Sequence, residues 1–177
     1  LDAKRGRVFT YDQEGNLLYI TGDKGSQRGD FSIPAGLDYH GEDLLIVDSG
    51  NRSLIVYELT EFGGLVNQAS RQYFNSEYDQ AAKSWGKVLD LNSNYYIAYQ
   101  GIGRAELRNG NYETALSYFE QSDDDYNYSL AFQEYRNKRL ETFFPIIMGV
   151  IGLVIFYLFF TSIRNSIRVN KETGRES

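Results

Sequence analysis

The chain has 177 residues, with 18 Lys and Arg against 24 Asp and Glu, a formal net charge of −6, one His and no Cys. An acidic balance argues against a phosphate-backbone ligand, so no nucleic acid is expected as a partner. The missing Cys removes disulfides, thiol nucleophiles and Cys-based zinc sites, and leaves His40 as the sole imidazole for any Ser–His pair. His40 stands beside Gly41 in a turn and reads as a surface or structural residue. No catalytic residue, metal ligand or cofactor is assigned, and the chain is read as a non-enzyme. It starts at Leu1 with neither an initiator Met nor the pattern of a signal peptide, and is read as a piece of a longer protein.

Residues 1–61 alternate strand-like runs with turn chemistry. Arg7 to Tyr11 meets the turn Asp12-Gln13-Glu14-Gly15-Asn16, and Leu17 to Ile20 leads into a Gly-rich link. Leu44 to Val47 precedes Asp48-Ser49-Gly50-Asn51, and Ser53 to Tyr57 closes the set. Short apolar runs bounded by Gly, Asp and Asn predict an antiparallel sheet. The run at 7–11 recurs at 53–57, an offset of 46 residues, which is a blade-sized period.

The order RVFTYDQEGNLLYITGDKGSQRGDFSIPAGLDYHGEDLLIVDSGNRSLIVYE resembles an NHL repeat of a β-propeller. It has the Gly-rich stretch, Phe31, Pro34 and Gly36, a turn around Gly41, and the apolar strand ending in Asp-Ser-Gly-Asn-Arg. The resemblance implies one blade and part of another in 1–61, and further blades upstream, since such propellers close with about six. It also implies an alternative function, an anchored enzyme of the gluconolactonase type, whose metal ligands would come from several blades. Arg28-Gly29-Asp30 spells a cell-adhesion tripeptide but falls in the Gly-rich turn. Asp23, Asp30 and Asp48 fit no calcium-loop spacing, and Asp48 is expected to hydrogen-bond the backbone of its own turn.

Beyond Phe62 the apolar period lengthens to that of a helix. Tyr78, Ala81, Ala82, Trp85, Val88 and Leu89 share one stripe, as do Tyr99, Ile102, Gly103 and Leu107. Gly110-Asn111 interrupts the pattern, and Tyr112, Ala115, Leu116 and Phe119 resume it. Tyr78 and Ala81 match Tyr112 and Ala115 at an offset of 34 residues. This period resembles the tetratricopeptide repeat. Residues 96–129 carry the better copy, with Tyr99, Ile102-Gly103, Gly110, Tyr112, Ala115 and Phe119. Residues 62–95 carry a weaker one in Leu65, Gln68-Ala69, Ser76, Tyr78, Ala81 and Trp85. Ser122 and Asn127 depart from the usual Ala and Pro.

Two such helical hairpins over 62–129, with a capping helix over 130–141, imply a groove that binds a protein or peptide. The resemblance assigns to that groove Val66, Ser70 and Tyr73 from the first repeat and Ile97, Gln100, Arg104 and Arg108 from the second. Arg104 and Arg108 lie one turn apart and suit an acidic ligand. Tyr73, Tyr95, Tyr96 and Tyr99 form a weaker candidate platform for carbohydrate. Asp123-Asp124-Asp125 reads as a solvated turn.

Residues 142–163 carry no charge between Glu141 and Arg164. At 1.5 Å per residue they reach about 33 Å, enough to cross a hydrocarbon core of about 30 Å. They are read as a transmembrane helix, followed by a basic cytoplasmic tail over 164–177. Arg164, Arg168, Lys171 and Arg175 follow the span, against Arg136, Lys138 and Arg139 before it. Together with the acidic N-terminal part, this places the N-terminus outside and the C-terminus inside a cell membrane. The fold class is thus antiparallel β from a partial propeller, a helical tetratricopeptide solenoid and one transmembrane helix. The join Tyr57 to Gly63 and the stretch Ala98 to Ala105 are similar to Firmicutes-type exported NHL and tetratricopeptide membrane proteins, whose longer members carry a Yip-type membrane domain. The expected function is an extracytoplasmic interaction or scaffold module, part of a receptor-like or transporter-associated protein, with a protein or peptide and the lipid bilayer as partners.

Overall fold

The computed structural model describes the backbone of residues 1–25 and 27–173, with side chains through Arg164. It divides into two units, Leu1–Ala131 and Phe132–Ser177.

The first unit opens with strands β1 (Val8–Tyr11) and β2 (Leu17–Thr21), an antiparallel pair with a bulge between Thr10 and Tyr11. Their turn is built from Asp12. Its carboxylate accepts from the backbone N–H of Glu14 at 3.0 Å and of Asn16 at 2.8 Å, while Gly15 supplies a φ of 85°. Strands β3 (Pro34–His40), β4 (Asp43–Asp48) and β5 (Ser53–Tyr57) form a second antiparallel sheet in chain order. The five strands thus make two small ladders, β1–β2 and β3–β4–β5.

β3 is the strand that sequence reasoning passed over as part of a link. Pro-Ala-Gly-Leu-Asp-Tyr-His has little intrinsic strand preference, and its pairing with β4 from Gly36↔Val47 to His40↔Asp43 overrides that. Asp48 secures the far end. It is fully buried, and its carboxylate accepts from the N–H groups of Ser32 at 2.8 Å, Ile33 at 2.8 Å and Gly50 at 3.0 Å, and from the Asn51 amide at 2.9 Å. The expected turn bond is therefore present and extends to a second segment. The Arg-Gly-Asp tripeptide lies at a tight turn in which Asp30 N–H donates to Gln27 C=O and the Gly29 carbonyl accepts from the Tyr57 hydroxyl. Phe31, Leu44, Ile46 and Val8 bury together beneath it. On the opposite face of the sheet, Val47, Leu54 and Val56 are half exposed or more.

Four helices follow: α1 (Glu61–Phe74), α2 (Tyr78–Leu91), α3 (Tyr96–Arg108) and α4 (Tyr112–Gln121). Thr60 caps α1, its hydroxyl accepting from Gly63 N–H at 3.1 Å. Each helix packs on the next, and α1 also touches α3. The stripes seen in the sequence become the core: Val66, Ala69, Trp85, Val88, Ile97, Ala98 and Ile102 cluster around Leu18 of β2. The 34-residue period reappears in the backbone, because Ser76 and Gly110 both close a hairpin at positive φ, 64° and 79°. Small residues set the spacing. A Cβ on Gly101 would lie 2.4 Å from the Trp85 indole, and one on Gly103 would lie 2.6 Å from the Phe119 ring.

The departures from the repeat pattern have local causes. Ser122 is buried, with its hydroxyl donating to the carbonyls of Tyr118 at 3.0 Å or Phe119 at 3.1 Å. Asp124 accepts from Asn127 N–H at 3.1 Å and Asn127 Nδ2 at 2.7 Å, and so caps the next helix. Within Asp123-Asp124-Asp125, Asp123 is exposed in a turn at a φ of 51°, as expected, and Asp124 and Asp125 start the helix.

That helix, α5 (Asp125–Thr173), begins in the first unit, where Ala131 buries with Ala115 and Phe119. It runs without a break through the boundaries expected at residues 129, 141 and 163, and includes Pro145. Within the second unit, residues 143–160 are apolar apart from Tyr157, and every one is exposed. α5 is long and apolar enough to cross a membrane, with none of its apolar window buried. At its margins the hydroxyls of Thr142 and Thr161 donate to Lys138 C=O and Leu158 C=O, both at 2.9 Å. The side chains of residues 165–177, with those of Arg168, Lys171 and Arg175, and the backbone of residues 174–177 in the expected basic tail lie outside the described residues.

Two measurements check this account. Gly101→Ala is expected to lower stability by about 1–3 kcal/mol by overpacking against Trp85, read in urea titrations from the emission of this single Trp. The Asp48 carboxyl is held below its ordinary value of 3.8, chiefly by the Ser32 N–H, against the opposing effect of burial. A depressed pKa stabilises fully above that value and the contribution is lost as pH falls through the folded pKa. Asp48→Asn is therefore expected to destabilise at neutral pH and to flatten the acid dependence below pH 3.8, followed by denaturant titrations across that range.

Candidate functional site

α1 and α3 lie side by side, so residues one turn apart on each helix build one surface. The structure brings together Tyr73, Arg104 and Arg108. The Arg104 guanidinium carbon stands 5.3 Å from the centroid of the Tyr73 ring, and Arg108 Nε donates to the Tyr73 hydroxyl at 3.4 Å. Gln100 and Ser70 are half-buried nearby in sequence on the same two helices. Val66 and Ile97 stand apart from this group: both are buried in the helical core and offer no open surface. The reason is that the β1–β2 hairpin lies against this face.

Three contacts fasten the hairpin there. Leu18 is 3% exposed and buries among Val66, Ala69, Trp85 and Ile97. The Tyr95 hydroxyl donates to the Leu18 carbonyl, and the Tyr19 hydroxyl donates to Asn67 Oδ1 at 3.0 Å. At the tip of the hairpin, Arg104 Nη1 donates to Asp12 Oδ2 at 3.4 Å and to Glu14 Oε2 at 3.0 Å. Asp12 and Arg104 have side chains only 8% and 12% exposed, so this pair is largely withdrawn from water. In that setting removing Arg104 strands the Asp12 carboxylate, at a cost of about 3–5 kcal/mol. The ion pair of Arg71 with Glu42, 3.9 Å apart and exposed on both sides, contributes little by comparison.

Sequence reasoning identified the arginines and Tyr73 but not the acids that meet them. Asp12 and Arg104 are 92 residues apart, and only the acidic character of the turn could have suggested a pairing. The four tyrosines considered for carbohydrate have different neighbours. Tyr95 packs edge-on against Phe62 at 5.0 Å, as does Tyr73 against Tyr78 at 5.5 Å; Tyr99 meets Tyr118 at 6.3 Å with tilted rings, while Tyr96 is 56% exposed. A cleft of about 660 Å³ opens beside the hairpin, lined by Tyr11, Tyr19, Tyr39, Phe62, Asn67 and Ser70 among others.

Asp23 is paired with Arg7 at 3.1 Å, and Asp30 accepts from Gln27 N–H at 2.9 Å. Among the described residues no group of three or more His, Asp or Glu side chains is arranged to hold a metal ion. The surface holds one guanidinium, of Arg104, over the Tyr73 ring and a second, of Arg108, on the hydroxyl of the same residue.

Burial raises the Tyr95 phenol well above its ordinary value of 10.0, with smaller contributions from Tyr19 and Tyr96. A raised pKa gives stability that is complete below the unfolded value and declines as pH rises above it. Tyr95→Phe is expected to lose about 1 kcal/mol at neutral pH from the missing hydrogen bond. It should also weaken the loss of stability above pH 10, both read from denaturant midpoints. The chain matches no family model, no curated protein and no solved structure among those compared with it.

Proposed function

We propose that the chain is a membrane-anchored interaction or scaffold module, part of a receptor-like or transporter-associated protein. Its β and helical parts stand outside the cell membrane, one helix crosses it, and the C-terminus lies in the cytoplasm. The observation that carries this reading is the fully exposed apolar stretch of α5 on a chain whose remainder is a helical stack and two small sheets. An exposed run of that length is stable in hydrocarbon and a liability in water. The NHL and tetratricopeptide resemblances support the rest. Val47, Leu54 and Val56 form an apolar sheet face of the kind that neighbouring blades would cover. Helical hairpins of this period present faces suited to protein or peptide ligands.

The orientation follows from the acidic N-terminal part and the basic residues after the span. Protease added to intact cells is expected to remove epitopes placed within 1–131 and to spare one placed after Arg164. The chain should stay with membranes in alkaline carbonate and be released when residues 142–163 are deleted. Protection of the N-terminal epitopes, or release of the unaltered chain by carbonate, would overturn the proposal.

A further inference from the structure

The acidic turn of the β1–β2 hairpin is held by α3 much as a bound ligand would be, but the fit is incomplete. Arg104 gives one nitrogen, Nη1, to both Asp12 and Glu14. Its Nε is buried and has no hydrogen-bond partner. A guanidinium can address a carboxylate with two parallel N–H groups, and leaving one of them buried and unpaired carries a penalty. One turn further along α3, Arg108 is exposed and is engaged by the Tyr73 hydroxyl at a long 3.4 Å. The site therefore has donor capacity that Asp12 and Glu14 do not use.

The turn also holds its own shape by bonds that do not involve α3. The bonds that shape it run from Asp12 to Glu14 N–H, Asn16 N–H and the Asn16 amide, all inside the hairpin. The anchoring contacts of Leu18 and Tyr19 lie further along β2. Glu14 is 41% exposed, so the tip already borders solvent.

We propose that the α1–α3 face around Arg104, Arg108 and Tyr73 is a binding site for an acidic protein segment, and that the chain's own Asp12-Gln13-Glu14 turn occupies it until displaced. The partner presents two carboxylates about one residue apart. The first takes Nε and an Nη of Arg104 together, satisfying the buried donor, and the second meets Arg108. The Tyr73 ring, 5.3 Å from the Arg104 guanidinium carbon, supports the guanidinium for that approach. The internal turn then acts as a competitor that keeps the cationic surface covered. This proposal rests on the interaction-module reading, but not on membrane orientation, which has its own test.

The test uses the full chain in detergent micelles and a fluorescent peptide of its own turn, residues 10–17, followed by anisotropy. A control peptide carries Asn and Gln in place of the two acids. Glu14→Gln, which weakens the internal competitor, is expected to bind the acidic peptide at least about tenfold more tightly than the unaltered chain. The neutral peptide should bind neither. Arg104→Gln should abolish binding, with Trp85 emission and helical circular dichroism reporting whether it folds. Arg108→Gln, at an exposed position, should weaken binding with no change in either signal. Equal affinity of Glu14→Gln and the unaltered chain, undiminished binding by Arg108→Gln, or no binding by any form would overturn the proposal. Such a failure alongside the expected protease pattern would remove this site and leave the anchored-module reading standing.

Discussion

The docking of β2 on the helices is the constraint on which the first unit depends. A two-stranded hairpin alone is at best marginally stable in water. Here Val8 buries with the β3–β5 sheet while Leu18 buries with α1, α2 and α3, so one hairpin belongs to two apolar clusters. The polar groups around it are arranged to permit this. Tyr95 satisfies the Leu18 carbonyl, Asn67 takes the Tyr19 hydroxyl, and Arg104 neutralises the carboxylates at the tip. Each of these would be a penalty if left unpaired at a largely dry contact.

The helices were readable in the sequence because their information is local. The apolar stripe containing Trp85 and Val88, and that of Ile102 and Gly103, became the packed faces. The 34-residue offset survived as two hairpin turns closed at positive φ, one by Gly110 and one by Ser76. The apolar run after Glu141 stood out by composition alone, and it forms part of one long exposed helix. β3 was hidden, because its residues favour turns and its strand character comes from a partner. For the same reason the split into two ladders was out of reach, since pairing is decided between segments and not within them.

The candidate surface was half legible. Repeat alignment named Tyr73, Arg104 and Arg108, which are neighbours in the fold, but it could not tell that Val66 and Ile97 would be consumed by Leu18. Groove position in a repeat is a statement about helices alone. What covers the groove depends on whatever else the chain brings to it, and here that comes from residues some 50 to 90 positions earlier. The arginines were recognisable because two cations one helical turn apart suit an anionic ligand; for Arg104, whose side chain is 12% exposed, the anions were already present.

Asp48 has a consequence for the sheet it ends. A strand register is ordinarily enforced by the need to keep apolar side chains on a covered face, and a sheet with one bare face is free to slip or to recruit unrelated strands. The Asp48 carboxylate, gripping N–H groups from both Ser32-Ile33 and Gly50-Asn51, indexes β3 against β4 by a polar bolt at one end. The sheet can therefore hold Val47, Leu54 and Val56 in a defined pattern before anything covers them. Its bare face is a shaped template and not merely a sticky one.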